Sequence, residues 1–206
     1  MKGMQALLLL CCFVVLSAMP AWGRQRVYVQ PLGHVEQAEI DRIVTSIGKL
    51  FDIDVKAAPE IAMPSAAYYA PRKRYRADKL LDFLNYLDIA LKGQVVGVTQ
   101  KDISVTKGDV FDWGIFGYGF APGRVCVVST FRLRHGKASG ELFLQRLERI
   151  ALHELGHTFG LLHCPAPGCL MNDARGRITT VDNSSGRFCS DCREKLDASL
   201  KAERDG

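Results

Sequence analysis

The sequence contains no internal repeat, no low-complexity segment and no apolar run as long as the roughly 20 residues that a membrane-spanning helix needs. We therefore expect neither a repeat architecture nor a stable membrane span in the mature protein. The formal net charge is only +5, which indicates no particular class of charged partner. One basic cluster, residues 72–76, has no supporting motif. We interpret it as a solvated connector and predict no nucleic-acid partner.

The N-terminal segment has the composition of an export signal. Lys2 supplies a positive charge, residues 6–18 are almost entirely apolar, and Ala21 and Gly23 are small residues at the place where a signal peptidase cuts. We expect residues 1–23 to be a signal peptide and the protein to be exported, either periplasmic or secreted. The alternative is an uncleaved segment that anchors the protein in a membrane.

One stretch in the second half of the chain contains three of the five histidines. It reads His153-Glu154-Leu155-Gly156-His157-Thr158-Phe159-Gly160-Leu161-Leu162-His163-Cys164. His153 and His157 are four residues apart, so on a helix both imidazoles project from one face and can reach one metal ion. Glu154 lies beside them, where its carboxylate can accept a proton from a water on that metal.

Gly160 and His163 extend this pattern. A glycine can adopt the left-handed backbone conformation that ends a helix and reverses the chain, which would bring His163 round as a third ligand. Three nitrogen ligands with one position left for water are the coordination of a catalytic zinc. A His-Glu-x-x-His match alone often falls by chance on a helix that binds no metal, whereas the extended spacing is far more specific. The pattern therefore predicts a zinc hydrolase.

Four cysteines follow the histidines: Cys164, Cys169, Cys189 and Cys192. Two short cysteine loops separated by an intervening segment are typical of a tetrahedral thiolate zinc site, which stabilises a fold and performs no chemistry. The alternative is two disulfides, because export leads to an oxidising compartment. We favour zinc, so the predicted cofactors are two zinc ions, one catalytic and one structural. Cys126 lies in an apolar run and is interpreted as a buried, inert thiol.

These residues resemble the archaemetzincin family of zinc metallopeptidases. The resemblance spans about residues 27–200, and its motifs are His153-Glu154-x-x-His157-x-x-Gly160-x-x-His163-Cys164, Cys169-x-Met171 and Cys189-x-x-Cys192. It implies a metzincin-like fold, a catalytic zinc on the three histidines, Glu154 as general base and a second zinc on the four cysteines. Met171 would be the Met-turn residue beneath the catalytic metal, although a methionine there could equally fill the core. Residues 1–23 have no counterpart in the catalytic domain of the family.

The periodicity of apolar residues predicts an α/β domain. Helices are expected at residues 36–51, 78–91 and 140–159, and short strands at residues 26–30, 53–55, 95–99 and 125–130. The metzincin-like catalytic part, with a mixed twisted sheet and an active-site helix, is assigned to residues 24–163. Residues 164–206 are expected to form a small cysteine-rich subdomain that carries the Met-turn and is held by its zinc.

Residues 109–123 alternate glycines with aromatic residues. We place the substrate-binding edge of the sheet here, with Gly114, Phe116 and Tyr118 as candidate contacts, because an extended peptide can add a strand to a sheet edge. The alternative is an aromatic loop that covers the core and binds nothing.

The predicted activity is hydrolysis of a peptide bond, with a peptide or protein as the substrate. One alternative is a zinc-dependent peptide-binding module that has lost catalysis, although such a module has no need of a base at Glu154. Another is a small secreted protein held by disulfides. Neither the cleavage preference nor the oligomeric state follows from the sequence.

Overall fold

The computed structural model describes residues 26–134, 138 and 140–205. The segment predicted to be a signal peptide, residues 1–23, lies outside the described residues. None of the described helices is both long enough and apolar enough to cross a bilayer. In chain order the helices and strands are β1 (Arg26–Pro31), α1 (Gln37–Phe51), β2 (Asp54–Ala57), β3 (Tyr68–Tyr69), β4 (Arg74–Arg76), α2 (Ala77–Asn85), β5 (Gln94–Thr99), β6 (Ile103–Lys107), β7 (Val110–Ile115), β8 (Gly117–Gly119), β9 (Val125–Ser129), α3 (Gly140–Thr158), α4 (Ile178–Asp182) and α5 (Ser190–Asp205).

The main sheet has five strands in the order β2-β1-β5-β9-β8. Its first four strands are mutually parallel, and β8 runs antiparallel to β9 at the edge. Valines dominate the central strands, as expected for strands that are covered on both faces. The fold is therefore the mixed α/β arrangement that the sequence predicts.

Helices cover both faces of this sheet, and the alternation of side chains along β5 shows how. Val96 and Val98 belong to the core cluster that contains α1 and α3, whereas Val95 belongs to the cluster built around α2. Successive side chains of a strand point to opposite faces, so α2 packs on one side and α1 with α3 on the other. Cys126 on β9 is fully buried on the α3 side, which confirms the expected burial of this thiol.

The C-terminal segment shares the core of α1 and α3. Leu170, Met171, Val181, Leu196 and Leu200 are buried in the same cluster as the apolar faces of those helices. The segments before and after the boundary predicted between residues 163 and 164 therefore share one core. The division into two subdomains at this boundary stays a prediction.

Two local expectations are wrong. The second helix ends at Asn85, because Leu87 has extended backbone, and a short 3₁₀ turn over Asp88–Leu91 follows. Leu91, the last residue of the expected helix, is 76% exposed. The helix also begins one residue before the expected start, at Ala77.

The expectation that the basic cluster is a solvated connector holds only for Arg72 and Lys73, which are exposed. Arg74–Arg76 forms strand β4 of a second sheet, ordered β3-β4-β6-β7. Arg74 contacts Asp102 at 2.7 Å and Asp112 at 2.8 Å, and Arg76 contacts Asp78 at 3.3 Å. Asp102 and Asp112 are distant in sequence, so the sequence around the cluster alone could not predict this pairing. These arginine charges are used within the fold.

Candidate active site

His153 and His157 lie one turn apart on α3 and point into one cavity with His163. The helix ends at Thr158, after which Gly160 takes the predicted left-handed conformation with φ of +88°. Its N–H donates to the carbonyl of His157 at 2.8 Å, which closes the turn. One nitrogen from each of the three imidazoles lies within 4.8 Å of the others. The predicted convergence of the three rings is therefore present.

The orientation of the two helical histidines explains what they can bind. Nδ1–H of His153 donates to the Leu170 carbonyl at 2.8 Å, and Nδ1–H of His157 donates to the Leu161 carbonyl at 2.7 Å. A neutral imidazole has one N–H, so both Nε2 atoms are acceptors with exposed lone pairs. These Nε2 atoms lie 3.1 Å apart, where two lone pairs repel each other unless a cation lies between them. Two nitrogens on a tetrahedral zinc are separated by about 3.3 Å, so the pair fits this ion.

Both helical imidazoles are held in the neutral form that a metal ligand requires. Burial, followed by repulsion from His157, lowers the pKa of His153 to about 3. Burial also lowers the pKa of His157. His163 differs, because its side chain is 50% exposed and its Nδ1 lies 4.0 Å from Oδ2 of Asp173. The spacing of the motif does not predict Asp173 as a neighbour of this ring.

Glu154 lines the same cavity, next to the edge strand β8. Burial raises the pKa of its carboxyl to about 8, and a cation bound nearby would lower it. The strand comes so close that a Cβ on Gly117 would lie 2.5 Å from Cγ and 2.8 Å from Oε1 of Glu154. Any side chain at position 117 would therefore overlap the Glu154 side chain, so a glycine is needed here for the carboxylate to keep this position. This function of Gly117 could not be predicted from the motif.

Met171 is completely buried. A Cβ on Gly156, which lies between the two histidines on α3, would be 2.8 Å from its sulfur. Glycine at this position therefore lets the methionine pack directly against the helix backbone. The Met171 carbonyl also accepts a hydrogen bond of 2.9 Å from the N–H of Cys164. These contacts place Met171 against α3, and its role as the Met-turn residue stays a prediction.

The four cysteines converge as predicted, with all four sulfurs within 4.8 Å of one another and none in a disulfide. The sulfurs of Cys164 and Cys189 lie 3.7 Å apart, close to the about 3.8 Å that separates two thiolates on a tetrahedral zinc. The N–H of Cys192 donates to Cys189 and, as the largest influence, lowers the pKa of that thiol to about 7. Cys169 accepts a hydrogen bond from the N–H of Cys189 at 3.5 Å. The quartet thus fits a closed zinc site better than a pair of disulfides.

The three candidate substrate contacts lie in different places. The cavity has a volume of about 450 Å³, and Phe116 and Tyr118 line it. Gly114 lies outside the lining: it belongs to β7 of the second sheet, where it pairs with Ser104, and the guanidinium of Arg132 covers its Cα. The predicted edge spans two sheets, because the chain passes from β7 of the second sheet to β8 of the main sheet at Phe116. Gly114 precedes this point and therefore lies in the second sheet.

Comparisons with a family model and with known relatives identify the family of this chain. The model of a family described as peptidase family M54 matches residues 34–198. The archaemetzincin of Halobacterium salinarum is 32% identical over 181 residues, which cover 83% of this chain and 99% of that relative. The archaemetzincin of Methanopyrus kandleri is 39% identical over 142 residues, or 68% of this chain and 75% of the relative.

Two solved structures share the fold. The archaemetzincin of Archaeoglobus fulgidus, crystallised in complex with malonate, superposes with a TM-score of 0.71 at 32% identity and covers 83% of this chain and 99% of its own. That of Methanopyrus kandleri superposes with a TM-score of 0.73 at 31% identity and covers 89% of this chain and 99% of its own.

This combination of fold and site defines a zinc-dependent metallopeptidase, which is a hydrolase. Within that class the chain belongs to peptidase family M54, the archaemetzincins. The resemblance that the motifs indicated is thereby confirmed.

Proposed function

We propose that this chain is an active peptidase in which His153, His157 and His163 hold a catalytic zinc and Glu154 is the general base. The observation that carries the proposal is the pair of Nε2 lone pairs 3.1 Å apart, with a buried carboxylate on the same helix. When bound, zinc acts as a Lewis acid that polarises the scissile carbonyl and lowers the pKa of a water.

The protein groups fix orientation and move the proton. The carbonyls of Leu170 and Leu161 hold the two helical imidazoles with Nε2 toward the cavity. Glu154 has the position and burial of a base that accepts a proton from the attacking water and returns it to the leaving amine.

A second zinc on Cys164, Cys169, Cys189 and Cys192 completes the proposal. The sulfur separation supports it, and a set of four thiolates leaves no position for water. The role of this ion is to hold the C-terminal segment against α3.

We place the substrate along β8, which is hydrogen-bonded to β9 on one side and is the last strand of its sheet. A peptide in extended conformation can pair with its other edge, where Phe116 and Tyr118 line the cavity. Gly114 lies in the second sheet, outside the cavity lining, and is not among these contacts.

We also propose that the protein is exported by residues 1–23, on the composition of that segment. Expression of the full chain with its native N-terminus in a cell with a secretory pathway tests this. Edman sequencing of exported protein should start after Gly23, and retention of an intact N-terminus in the membrane would support an anchor instead.

Substitution of Glu154 tests the catalytic proposal directly. Glu154→Gln and Glu154→Ala should keep zinc bound and lower kcat by roughly 10²–10⁴-fold on a peptide library. A chelator should abolish cleavage by the wild-type protein, and added zinc should restore it. Wild-type hydrolysis by either variant would mean that Glu154 is not the base, and chelator-sensitive peptide binding without any cleavage would identify an idle binding module.

A further inference from the structure

Arg149 is a charged residue of the cavity that the proposed chemistry does not use. It lies on α3 four residues before His153, so its side chain leaves the helix on the ligand-bearing face, about 6 Å further along the axis. It lines the same cavity as His153 and Glu154. A group on the substrate that reaches past the reacting carbonyl in this direction would therefore meet Arg149.

The surroundings of Arg149 combine apolar walls with polar donors. We call this part of the cavity the α4 pocket and define it by five of the lining residues, namely Arg149, Ile150, Thr180, Val181 and Ser184. Isoleucine and valine suit the methylenes of a side chain, and two hydroxyls and a guanidinium suit a polar end. Such a pocket fits a side chain with an apolar stem and an acceptor at its tip.

The guanidinium is held in place by backbone and keeps its charge. Nη1 of Arg149 donates to the carbonyls of Val181 at 3.1 Å and Asp182 at 3.0 Å. The Asp182 carboxylate is bonded to Arg146, at 2.7 Å from Nε and 2.8 Å from Nη2. Within the described part of the chain, Arg149 forms no direct ion pair. The position of Arg149 is therefore fixed. Its charge helps to lower the pKa of the nearby Asp182 carboxyl, but the side-chain hydrogen bonds of that carboxylate go to Arg146, so the guanidinium can still bind a ligand carboxylate.

The other cations of the cavity have partners within the protein. Arg175 lies 3.7 Å from Asp173, and Lys107 lies over the ring of Trp113 at 5.3 Å from its centroid. Arg149 thus differs from both in having only backbone acceptors.

We infer that the α4 pocket binds a carboxylate of the substrate through Arg149, so that the enzyme prefers a glutamate next to the scissile bond. The planar fork of arginine matches a carboxylate with two parallel hydrogen bonds. Glutamate has one methylene more than aspartate, which suits the apolar walls. The inference rests on the proposed function for its site. The carboxylate of a free chain end offers the same chemistry, and the experiment separates the two sources.

The test uses peptides that are blocked at both ends and differ only in one residue on either side of the scissile bond: Glu, Gln, Lys or Leu. Glutamate and glutamine have the same shape, so their difference in kcat/KM reports charge. We expect glutamate to exceed glutamine by about tenfold or more, which is typical of a hydrogen bond to a charged group. A matching set with a free C-terminus shows whether the chain end is the preferred carboxylate.

Variants of Arg149 separate recognition from folding. Arg149→Glu should reverse the preference toward lysine, and Arg149→Lys should keep a preference for glutamate. Arg149→Gln should abolish the difference between glutamate and glutamine. This neutral variant should retain the fold, so it serves as the test if the charge-reversed protein is unstable. Arg187→Glu is the control, because Arg187 is exposed, lies outside the cavity and gives the same change in net charge.

Binding of the same peptides to Glu154→Gln, measured by calorimetry, keeps the inference independent of turnover. If the wild-type protein cuts no peptide but glutamate peptides bind about tenfold more tightly than glutamine peptides, the proposed function fails and the α4 pocket stands. Cleavage or binding with equal constants for glutamate and glutamine, or a preference unchanged by Arg149→Gln, would overturn the inference. A preference confined to free C-termini would assign Arg149 to the chain end.

Discussion

His163 and Cys164 are consecutive in the chain, yet their side chains belong to two different ligand clusters. The imidazole of His163 faces His153 and His157, and the sulfur of Cys164 lies 3.7 Å from that of Cys189. The Asn172 amide donates to the carbonyl of Cys164 at 2.6 Å, which ties this short connection to the segment that follows Met171. One peptide bond therefore couples the two proposed zinc sites.

This coupling predicts that damage to the cysteine site weakens the histidine site. Cys189→Ser should lower the affinity of the catalytic zinc by about 10–100-fold, as is typical when a residue that orients a ligand is lost. Zinc retained after dialysis against graded chelator concentrations measures it. Cys126→Ala is the control, because Cys126 is buried outside both clusters. Unchanged affinity at the histidine site would show that His163 is positioned without the cysteines.

Gly117→Ala should displace the proposed base without removing the metal. The new methyl group would overlap the Glu154 side chain, so the carboxylate must move away from β8. We expect kcat to fall by roughly tenfold or more, the loss of 1.4 kcal/mol of barrier lowering, with zinc content unchanged. Gly140→Ala is the matched control, because no atom lies within 4 Å of a Cβ there. A variant as active as wild type would show that the position of Glu154 tolerates this shift.

Phe116→Ala and Tyr118→Ala test the substrate-binding edge. Both side chains line the cavity beside β8, so their loss should raise KM for peptides more than it lowers kcat. Phe131→Ala is the control, because this aromatic residue is 53% exposed and lies outside the cavity lining. An unchanged KM in both variants would mean that the edge covers the core and does not bind substrate.

The Arg146–Asp182 pair joins α3 to α4 and should make stability depend on pH. The hydrogen bond from Arg146 lowers the pKa of the Asp182 carboxyl in the folded state. Because the pKa of Asp182 is lower in the folded state, the pair stabilises the fold fully at pH values above the unfolded-state pKa of about 3.9. This contribution is lost as the pH falls through the folded-state pKa.

We therefore expect Asp182→Asn to lower the free energy of unfolding at pH 7 by about 1–3 kcal/mol, and the difference to shrink as the pH falls through the lowered pKa of Asp182. Urea titrations at several pH values measure both quantities. Asp197→Asn is the control, since its pair with Arg193 is exposed and should contribute less than about 1 kcal/mol. If Asp182→Asn changed the free energy of unfolding by the same amount at every pH value, the Arg146–Asp182 pair would be ruled out as the cause.

The sequence predicted best the features that depend on local spacing. His153 and His157 must share a face if they lie on a helix, and Gly160 must reverse the chain if the helix ends there. The cysteine quartet is similar, because each pair of close cysteines is already shaped to chelate. Apolar periodicity likewise predicted α1, α3 and the central strands within a few residues.

Contacts between distant segments could not be predicted. The pairing of Arg74 with Asp102 and Asp112 depends on how β4, β6 and β7 assemble, which no local pattern specifies. Gly117 and Gly156 look like ordinary glycines until Glu154 and Met171 are placed against them. Arg149 is likewise a candidate for recognition only because the fold places α4 at the other wall of its pocket.

The most direct test of the central claim is anomalous X-ray scattering at the zinc edge from crystals of the purified protein. We predict one peak bound by Nε2 of His153 and His157 together with His163, with no fourth protein ligand, and a second peak among the four cysteine sulfurs. No peak between the imidazoles of zinc-supplemented crystals, or a protein side chain as a permanent fourth ligand there, would contradict the account.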